Sequence, residues 1–379
     1  MPERDRLLLW YWGRRGGGAR YTLELARALG RLGHWDLYLS LSRQSELYEE
    51  TKALGWPGLD LDTFSGLPSA LWRSLGVPRL ARRMGDYLER ERIGLMLCTM
   101  SHPWAGWVAR RCRSPARRQV LTLHDALPHP GDRLSWIEWR LRGGLAGTDG
   151  LICLSQHVRD QVLERTGYAP ERVWVVPHGP FDFAAGAAAP EPAGPPRRLL
   201  FFGRILPYKG LELLLRAFAL IADAYDLELH IVGQGALDRD TRRLAAQPRV
   251  RLTNRWIDEG EVASIFRAAD LVVVPYLEAS QSGVVAAAQG LGLPVVVTPV
   301  GGLQEQVRGG LTGLVAAGLA PQDLADAIAA LCRDPELYRR CRDGARRAGA
   351  MEPAWDAIAA QVTAALEQVR RLPVRDGAP

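Results

Sequence analysis

The chain has no apolar run close to the roughly 18 residues that a membrane-spanning helix requires, so helical membrane spans are not expected. Its five cysteines, Cys98, Cys112, Cys153, Cys332 and Cys341, form an odd set with neither metal-type nor redox-type spacing. Cys98 and Cys153 lie inside apolar strand-like runs, and all five are read as reduced, structural side chains. No G-x-S-x-G nucleophile elbow, no metal-type spacing of His, Cys and carboxylate and no G-x-G-x-x-G dinucleotide fingerprint occurs. No repeat with a period of roughly 20 to 50 residues is present, which excludes a solenoid.

Lysine is scarce too. The 48 basic residues are overwhelmingly arginine, many in pairs such as Arg82-Arg83, Arg110-Arg111, Arg117-Arg118 and Arg346-Arg347, and the net charge is +6. Charge alone fixes no partner. The excess is either a solvated surface or an attraction to a phosphorylated or lipid-bound acceptor at an anionic membrane face. Nucleic acid is not expected as a partner, since no recognised binding module accompanies the charge. The N-terminal apolar stretch, Leu7 to Trp12, is too short for a signal peptide and lacks a small-residue cleavage site. A cytoplasmic protein is expected, with peripheral contact at the inner face of the membrane as the sharper form of that reading.

What is present is a long alternation. At 379 residues the chain exceeds one ordinary core, and about two domains are expected. Short β-type runs alternate with helical patterns at Leu7 to Trp12, Asp36 to Ser40, Leu95 to Thr99, Gln119 to Leu123, Gly150 to Leu154 and Arg172 to Val176. The stretch from Ala184 to Pro196, made of alanine, glycine, proline and one glutamate, breaks the pattern and reads as a linker. The alternation restarts at Arg198 to Gly203, Leu227 to Val232, Arg249 to Thr253, Leu271 to Pro275, Pro294 to Thr298 and Gly313 to Val315. The fold class is therefore α/β, two Rossmann-like doubly wound parallel-sheet domains facing across a cleft. The expected division is 1–183, a linker at 184–196, 197–350, and a C-terminal segment at 351–379.

In such sheets ligands sit at the carboxyl ends of the strands. The most informative segment is Phe201-Phe202-Gly203-Arg204-Ile205-Leu206-Pro207-Tyr208-Lys209-Gly210, followed by Leu211, Leu214, Leu215 and Phe218 at helical spacing. A buried strand there enters a glycine-framed turn carrying a planar guanidinium and a compact ammonium just before a helix, which suits a phosphate. A second strand ends in Tyr276-Leu277-Glu278-Ala279-Ser280-Gln281-Ser282-Gly283 and opens another helix. Ser280, Gln281, Ser282 and Gly283 are good N-caps as well as good phosphate ligands, and two helix ends suit a diphosphate. Glu278 is either an acceptor for sugar hydroxyls or a rim carboxylate. Gly233-Gln234-Gly235 is a further turn at a strand end.

In the first half, Gly13-Arg14-Arg15-Gly16-Gly17-Gly18-Ala19-Arg20 precedes a helix whose Tyr21, Leu25, Leu29 and Leu32 share a face. Its glycines permit close approach of backbone amides to an anion, and equally permit a plain tight turn. His124, with Asp125, follows a strand and can donate to a leaving-group oxygen or a substrate hydroxyl, or be a satisfied structural histidine. Pro128-His129-Pro130-Gly131 comes next. His178 reads as a hinge or packing residue, and His102 is open.

Taken together these residues resemble the family 4 glycosyltransferases of the GT-B fold, over essentially the whole chain. The resemblance is most specific in Phe202-Gly203-Arg204 through Lys209-Gly210, Val232-Gly233-Gln234-Gly235, Ala269 to Pro275, and Gly292-Leu293-Pro294 leading to Gly301-Gly302-Leu303-Gln304-Glu305. Gly17-Gly18, His124-Asp125 and Val176-Pro177-His178-Gly179 are similar to family landmarks as well. Trp355-Asp356 resembles the start of the helix that crosses back to the N-terminal domain.

The resemblance implies transfer, with retention, from a nucleotide-sugar donor held mainly by the C-terminal domain to a glycan, lipid-linked or small-molecule acceptor held by the N-terminal one. It implies no metal and no cofactor, the nucleotide sugar being a substrate. It assigns Arg204 and Lys209, with Gly17, Gly18, Ser282 and Gly283, to the departing diphosphate. His124 and Glu278 join Arg204 and Lys209 as catalytic groups, and Gly233, Gln234, Gly235, Ser280 and Gln281 contact the donor sugar or nucleoside. One departure stands out: the two glutamates the family often carries eight positions apart are here Ala279 and Ala287. A GT-B-fold epimerase or phosphorylase, or a sugar-nucleotide-binding protein that has lost catalysis, is the competing expectation.

Overall fold

The computed structural model describes residues 4–64, 66–126, 147–181, 183, 194–349 and 351–375. The chain separates into two compact units. One takes the described residues up to Pro177 together with the chain from Trp355 onward, and the other takes the described residues within His178–Ala354. The linker expected at 184–196 lies outside the described residues except for its last three, as does the run 128–131.

The first unit holds strands β1 (Arg6–Tyr11), β2 (Asp36–Leu41), β3 (Leu95–Cys98), β4 (Arg118–Leu123), β5 (Gly150–Cys153) and β6 (Val173–Val175) in the order β2-β1-β3-β4-β5-β6. Every pairing is parallel, with Leu8 of β1 opposite Tyr38 on one side and Met96 on the other. β3 and β5 are buried along their whole length, which is why they read as unbroken apolar runs rather than alternating ones. In the helix Gly17–Leu32, Tyr21, Leu25 and Leu29 are fully buried. Leu32, expected on the same face, is instead exposed, as the last residue of the helix before the left-handed Gly33.

The last helix, Met351–Arg371, belongs to this unit from Trp355 onward. Trp355, Ile358, Ala359, Val362, Leu366 and Val369 are buried at intervals of three and four, one face of an α-helix. That face meets the first unit through the edge of Trp355 on Tyr21, 5.6 Å between ring centroids. The Trp35 indole N–H donates to Thr363 at 3.2 Å and Arg31 pairs with Asp356 at 2.8 Å.

The second unit repeats the plan with β7 (Arg198–Phe202), β8 (Glu228–Val232), β9 (Val250–Thr253), β10 (Leu271–Val274), β11 (Val295–Val297) and β12 (Gly313–Val315), ordered β12-β11-β10-β7-β8-β9 and all parallel. Leu211, Leu214, Leu215 and Phe218 of the helix Leu211–Ile221 are buried in one core with Leu324, Ile328 and Leu331 of the helix Pro321–Arg333. At the base of β10, Asp270 accepts hydrogen bonds from the Arg197 and Arg198 amides and from the Arg198 guanidinium.

In each sheet the strand order reverses beside the first strand, between β1 and β3 and between β7 and β10. The loops that leave neighbouring strands at such a point diverge, and the crevice between them is where doubly wound sheets bind ligands.

Candidate functional site

In the second unit the loops after β7, β8 and β10 meet at that reversal. Gly203 (φ 117°) donates its amide to Val232 at 3.0 Å, and Ile205 donates to Gln234 at 2.9 Å, so the turns after β7 and β8 continue as a paired ladder. A Cβ at Gly233 would lie 1.8 Å from the Gly203 carbonyl oxygen, and one at Gly210 (φ 67°) would lie 1.8 Å from that of Pro275. Only glycine fits either place. The Gly235 amide donates to Asn254 at 3.1 Å and its carbonyl accepts from the same side chain at 2.9 Å, so that turn is pinned through its backbone.

Arg204 is exposed at the strand end, and Gly203 beside it lies next to Val284 in the first turn of the helix Gly283–Gly290. Lys209 ends the 3₁₀ turn Pro207–Lys209 with its ammonium 3.7 Å from the Tyr276 ring centroid and 4.9 Å from that of Tyr208. Such a position is held by the ring quadrupole. The Leu277 amide donates to the Tyr208 carbonyl at 2.7 Å, which ties the loop after β10 to the one after β7. Arg204, Lys209 and the start of the helix Gly283–Gly290 therefore belong to one locality.

The turn after β10 is more committed internally than its sequence suggests. Ser282 caps the helix, its Oγ accepting from the Val284 amide at 3.2 Å and donating to the Tyr276 hydroxyl at 3.3 Å. Its own amide donates to Gln306 Oε1 at 2.7 Å, its carbonyl accepts from Gln306 Nε2 at 3.3 Å, and Gln289 Nε2 donates to the Gln306 carbonyl at 2.8 Å. Gly283 is the first residue inside the helix, packed near the Phe181 ring. Glu278 is exposed and Ser280 is buried. The side-chain oxygen of Gln281 is buried without a hydrogen-bond partner among the described residues. Ala279 and Ala287 are both buried, so a glutamate at either place would be a charge in an apolar setting unless another group met it.

The first unit has its own loops at the reversal between β1 and β3. Gly16 (φ 85°) starts the helix Gly17–Leu32, and its amide donates to Glu46 Oε1 at 2.5 Å while the Glu46 amide donates to the Arg14 carbonyl at 2.8 Å. Gly17 is exposed. A Cβ at Gly18 would come 2.4 Å from the Met100 sulfur, so the loop after β3 closes on this glycine.

His124, at the end of β4, is buried with Nε2 3.0 Å from the Thr99 carbonyl oxygen and its ring edge-on to Tyr21 at 5.3 Å. A carbonyl only accepts, so Nε2 carries the proton, and in the neutral ring Nδ1 is an acceptor. His102 is a structural histidine: burial lowers its pKa to about 3, and Nδ1 accepts the Trp104 amide at 3.3 Å. His178 lies 2.7 Å through Nδ1 from the Gly179 carbonyl and stacks edge-on with Phe181.

All five cysteines are buried and unbridged, and burial pushes the thiols of Cys112 and Cys332 up to about 11. Among the described residues no group of three His, Cys, Asp or Glu side chains is placed to share a metal ion, and no helix is long and apolar enough to cross a membrane.

The structure thus groups Arg204, Lys209, Gly233, Gln234, Gly235, Glu278, Ser280, Gln281, Ser282 and Gly283 at the carboxyl ends of β7, β8 and β10. It places Gly17, Gly18 and His124 in the other unit. Sequence reasoning missed Tyr208 and Tyr276, which cradle the ammonium, Gln306, which clamps Ser282, and Glu46 and Thr99, which hold the first unit's loop and histidine. An aromatic at the end of an apolar run and a lone glutamine carry no pattern that marks them.

Two parallel six-stranded sheets with these crevices define the GT-B class of protein. The model of glycosyltransferase family 4 matches residues 15–179 and that of group 1 glycosyl transferases matches residues 196–334. A D-inositol 3-phosphate glycosyltransferase of Geodermatophilus obscurus is 35% identical over 382 aligned residues, covering 85% of this chain and 84% of that protein. Among solved structures, the sucrose-phosphate synthase of Thermosynechococcus elongatus matches with a TM-score of 0.71 at 20% identity, over 96% of this chain and 99% of that one. The Anabaena protein HepE, solved with UDP and glucose, matches with a TM-score of 0.70 at 19% identity, over 96% and 100%. The chain belongs to the family 4 glycosyltransferases.

Proposed function

We propose that this glycosyltransferase moves a hexosyl or related sugar, with retention and without a metal ion, from a nucleoside-diphosphate-sugar donor to a glycan, lipid-linked or small-molecule acceptor. The setting would be the synthesis of surface polysaccharide or a glycoconjugate. The reading is supported by the meeting of the turn that bears Arg204 and Lys209 with the loop that leads into the helix Gly283–Gly290, through Gly203 next to Val284 and Lys209 on the Tyr276 ring, at the strand-order reversal between β7 and β10.

A diphosphate leaving group gains negative charge as the glycosidic bond breaks, and preoriented cations and helix-end amides stabilise that charge without reorganising. Arg204 offers a fork for two oxygens and Lys209 a point charge whose direction the Tyr276 ring holds. Because Gln306 already occupies the Ser282 amide, the backbone donor next along the helix start is Gly283, and Ser282 serves by fixing it. The same reading gives Gly17 and Gly18 a part in binding the diphosphate and His124 a part at the transferred sugar. Gly233 to Gly235, Ser280, Gln281 and Glu278 are assigned to the sugar and nucleoside. The name of the Geodermatophilus relative favours a small phosphate-bearing acceptor within the acceptor classes above.

One observation favours a second reading. Alanine at 279 and 287, both buried, fits a protein that binds a sugar nucleotide without turning it over. A thermal-shift screen against UDP-, GDP-, ADP- and dTDP-sugars, followed by assay of nucleoside diphosphate release, separates the two. A ligand at a hundred times its Kd adds about 2.7 kcal/mol of stability. A shift with one base and slow release supports the enzyme, and a shift with no release under any acceptor supports the binder. No shift with any donor contradicts both.

A further inference from the structure

The first unit carries a surface that its activity does not explain. Trp72 is 78% exposed, Leu75 is 73% exposed and Trp107 is 36% exposed, whereas the other tryptophans with a stated exposure, Trp10, Trp12, Trp35, Trp104 and Trp355, are buried. Trp72 and Leu75 sit at the end of the helix Leu67–Ser74, which leads directly into the helix Val77–Arg90, and Trp107 sits on the helix Ala105–Arg111. Two contacts align these elements. The Trp104 indole N–H donates to Ser74 Oγ at 3.0 Å, and the Cys112 thiol meets the Ala81 carbonyl at 3.6 Å. The helices Val77–Arg90 and Ala105–Arg111 therefore run side by side in the same direction, with the exposed apolar residues at the same end.

Their outward positions continue as arginine. Arg79, Arg82 and Arg83 follow Leu75 at intervals of three and four, and Arg110 and Arg111 follow Trp107 in the same way; all five are exposed. None of the five is in an ion pair among the described residues, although exposed Asp86 lies one turn further along the longer helix, with exposed Glu89 beyond it. The opposite face of that helix is sealed into the core by Val77, Ala81, Met84, Tyr87 and Leu88. Three exposed large apolar side chains flanked by five unpaired guanidinium groups form an amphipathic, cationic face, with tryptophan of the kind that settles at the level of lipid headgroups.

We propose that this face docks the first unit on a bilayer surface bearing anionic headgroups, with Trp72, Leu75 and Trp107 entering the headgroup region and the five arginines drawing the protein to negative charge. The proposal stands apart from the sugar-transfer reading, since none of these residues belongs to the glycine loops or strand ends described above.

The test is flotation of the full chain with vesicles of phosphatidylcholine alone and of phosphatidylcholine mixed with phosphatidylglycerol. Binding to the mixed vesicles only, weakened by salt, is expected. Each arginine near the surface contributes about fivefold to partitioning, so Arg79→Gln/Arg82→Gln/Arg83→Gln should weaken it by about a hundredfold. Trp72→Ala/Leu75→Ala should weaken it by at least about tenfold on the same grounds of buried apolar area. These sites are exposed, so thermal unfolding should be unchanged. Arg239→Gln/Arg242→Gln/Arg243→Gln, on an exposed helix of the second unit, should bind as the unmodified protein does. Equal binding by the face variants, equal binding to the two vesicle types, no binding to either, or equal loss in the second-unit variant would each overturn the proposal. So would a change confined to self-association on Trp72→Ala, which would make a second copy of the chain the occupant.

Discussion

At the scale of single residues, the proposed site depends on how two cations are held. That Arg204 and Lys209 lie in the turn after a buried strand was legible, because they follow an apolar run and stand between glycines. Tyr276 was not legible, because an aromatic closing an apolar strand looks like core and is indeed 1% exposed. Its ring nevertheless faces the Lys209 ammonium, and its hydroxyl accepts from Ser282. Replacing it with leucine should forfeit a cation–π contact of about 1 to 2 kcal/mol. That predicts a rise of roughly five- to thirtyfold in donor KM for Tyr276→Leu, and near-normal values for Tyr276→Phe, which keeps the ring. Steady-state kinetics with donor varied at fixed acceptor checks it. Ser282 teaches the complementary lesson: its polarity was legible, but the partner that absorbs its amide, Gln306, lies twenty-four positions away and carries no local signature.

At the scale of elements, the strands declared themselves. Runs such as Leu271 to Val274 and Val295 to Val297 are buried throughout, and continuous β-branched or leucine stretches of this length fit little else between helical patterns. The ends were less sharp, as the exposed Leu32 shows, because burial in a last helical turn is decided by what packs there and not by the repeat. The turns make the firmest prediction. Gly210→Ala would set a Cβ against the Pro275 carbonyl at a left-handed backbone position. It should cost at least about 1 to 3 kcal/mol, read as a lowered urea midpoint with unchanged slope.

Asp270 sets a pH dependence. Burial raises its pKa, but hydrogen bonds from the Arg198 side chain and from the Arg198 and Arg197 amides outweigh that and leave it below the ordinary value. A carboxylate with a depressed folded pKa contributes fully above its unfolded pKa of about 3.9, and its contribution is lost as pH falls through the lower folded value. Asp270→Ala should therefore destabilise the second unit near neutrality by about 2 kcal/mol or more, the worth of hydrogen bonds to a charged group. The difference between variant and unmodified protein should shrink as the unfolding is repeated at progressively more acid pH.

At the scale of the whole molecule, the sequence announced two α/β units through the restart of alternation at Arg198. The likeness of Trp355-Asp356 to a family landmark pointed to a C-terminal helix that returns to the first unit. The structure gives that helix a physical anchor, with Trp355 1% exposed against Tyr21, which in turn meets the ring of His124. Trp355→Ala should destabilise the first unit by about 3 to 5 kcal/mol. Hydrogen exchange should then accelerate in β1 to β6 and in the helix Gly17–Leu32, and remain unchanged in β7 to β12. Uniform acceleration across both sheets would mean that the helix supports more than the unit it packs on.

The central claim is that the guanidinium of Arg204 and the ammonium of Lys209 act on a departing diphosphate. It is tested most directly by the kcat/KM of Arg204→Ala for the donor identified in the thermal-shift screen. Loss of a single well-placed donor to a developing oxyanion costs about 2.7 to 4 kcal/mol, or a hundred- to thousandfold in rate. The account predicts a fall of at least that order, with the variant's thermal unfolding unchanged because Arg204 is exposed. A kcat/KM equal to that of the unmodified enzyme would contradict it.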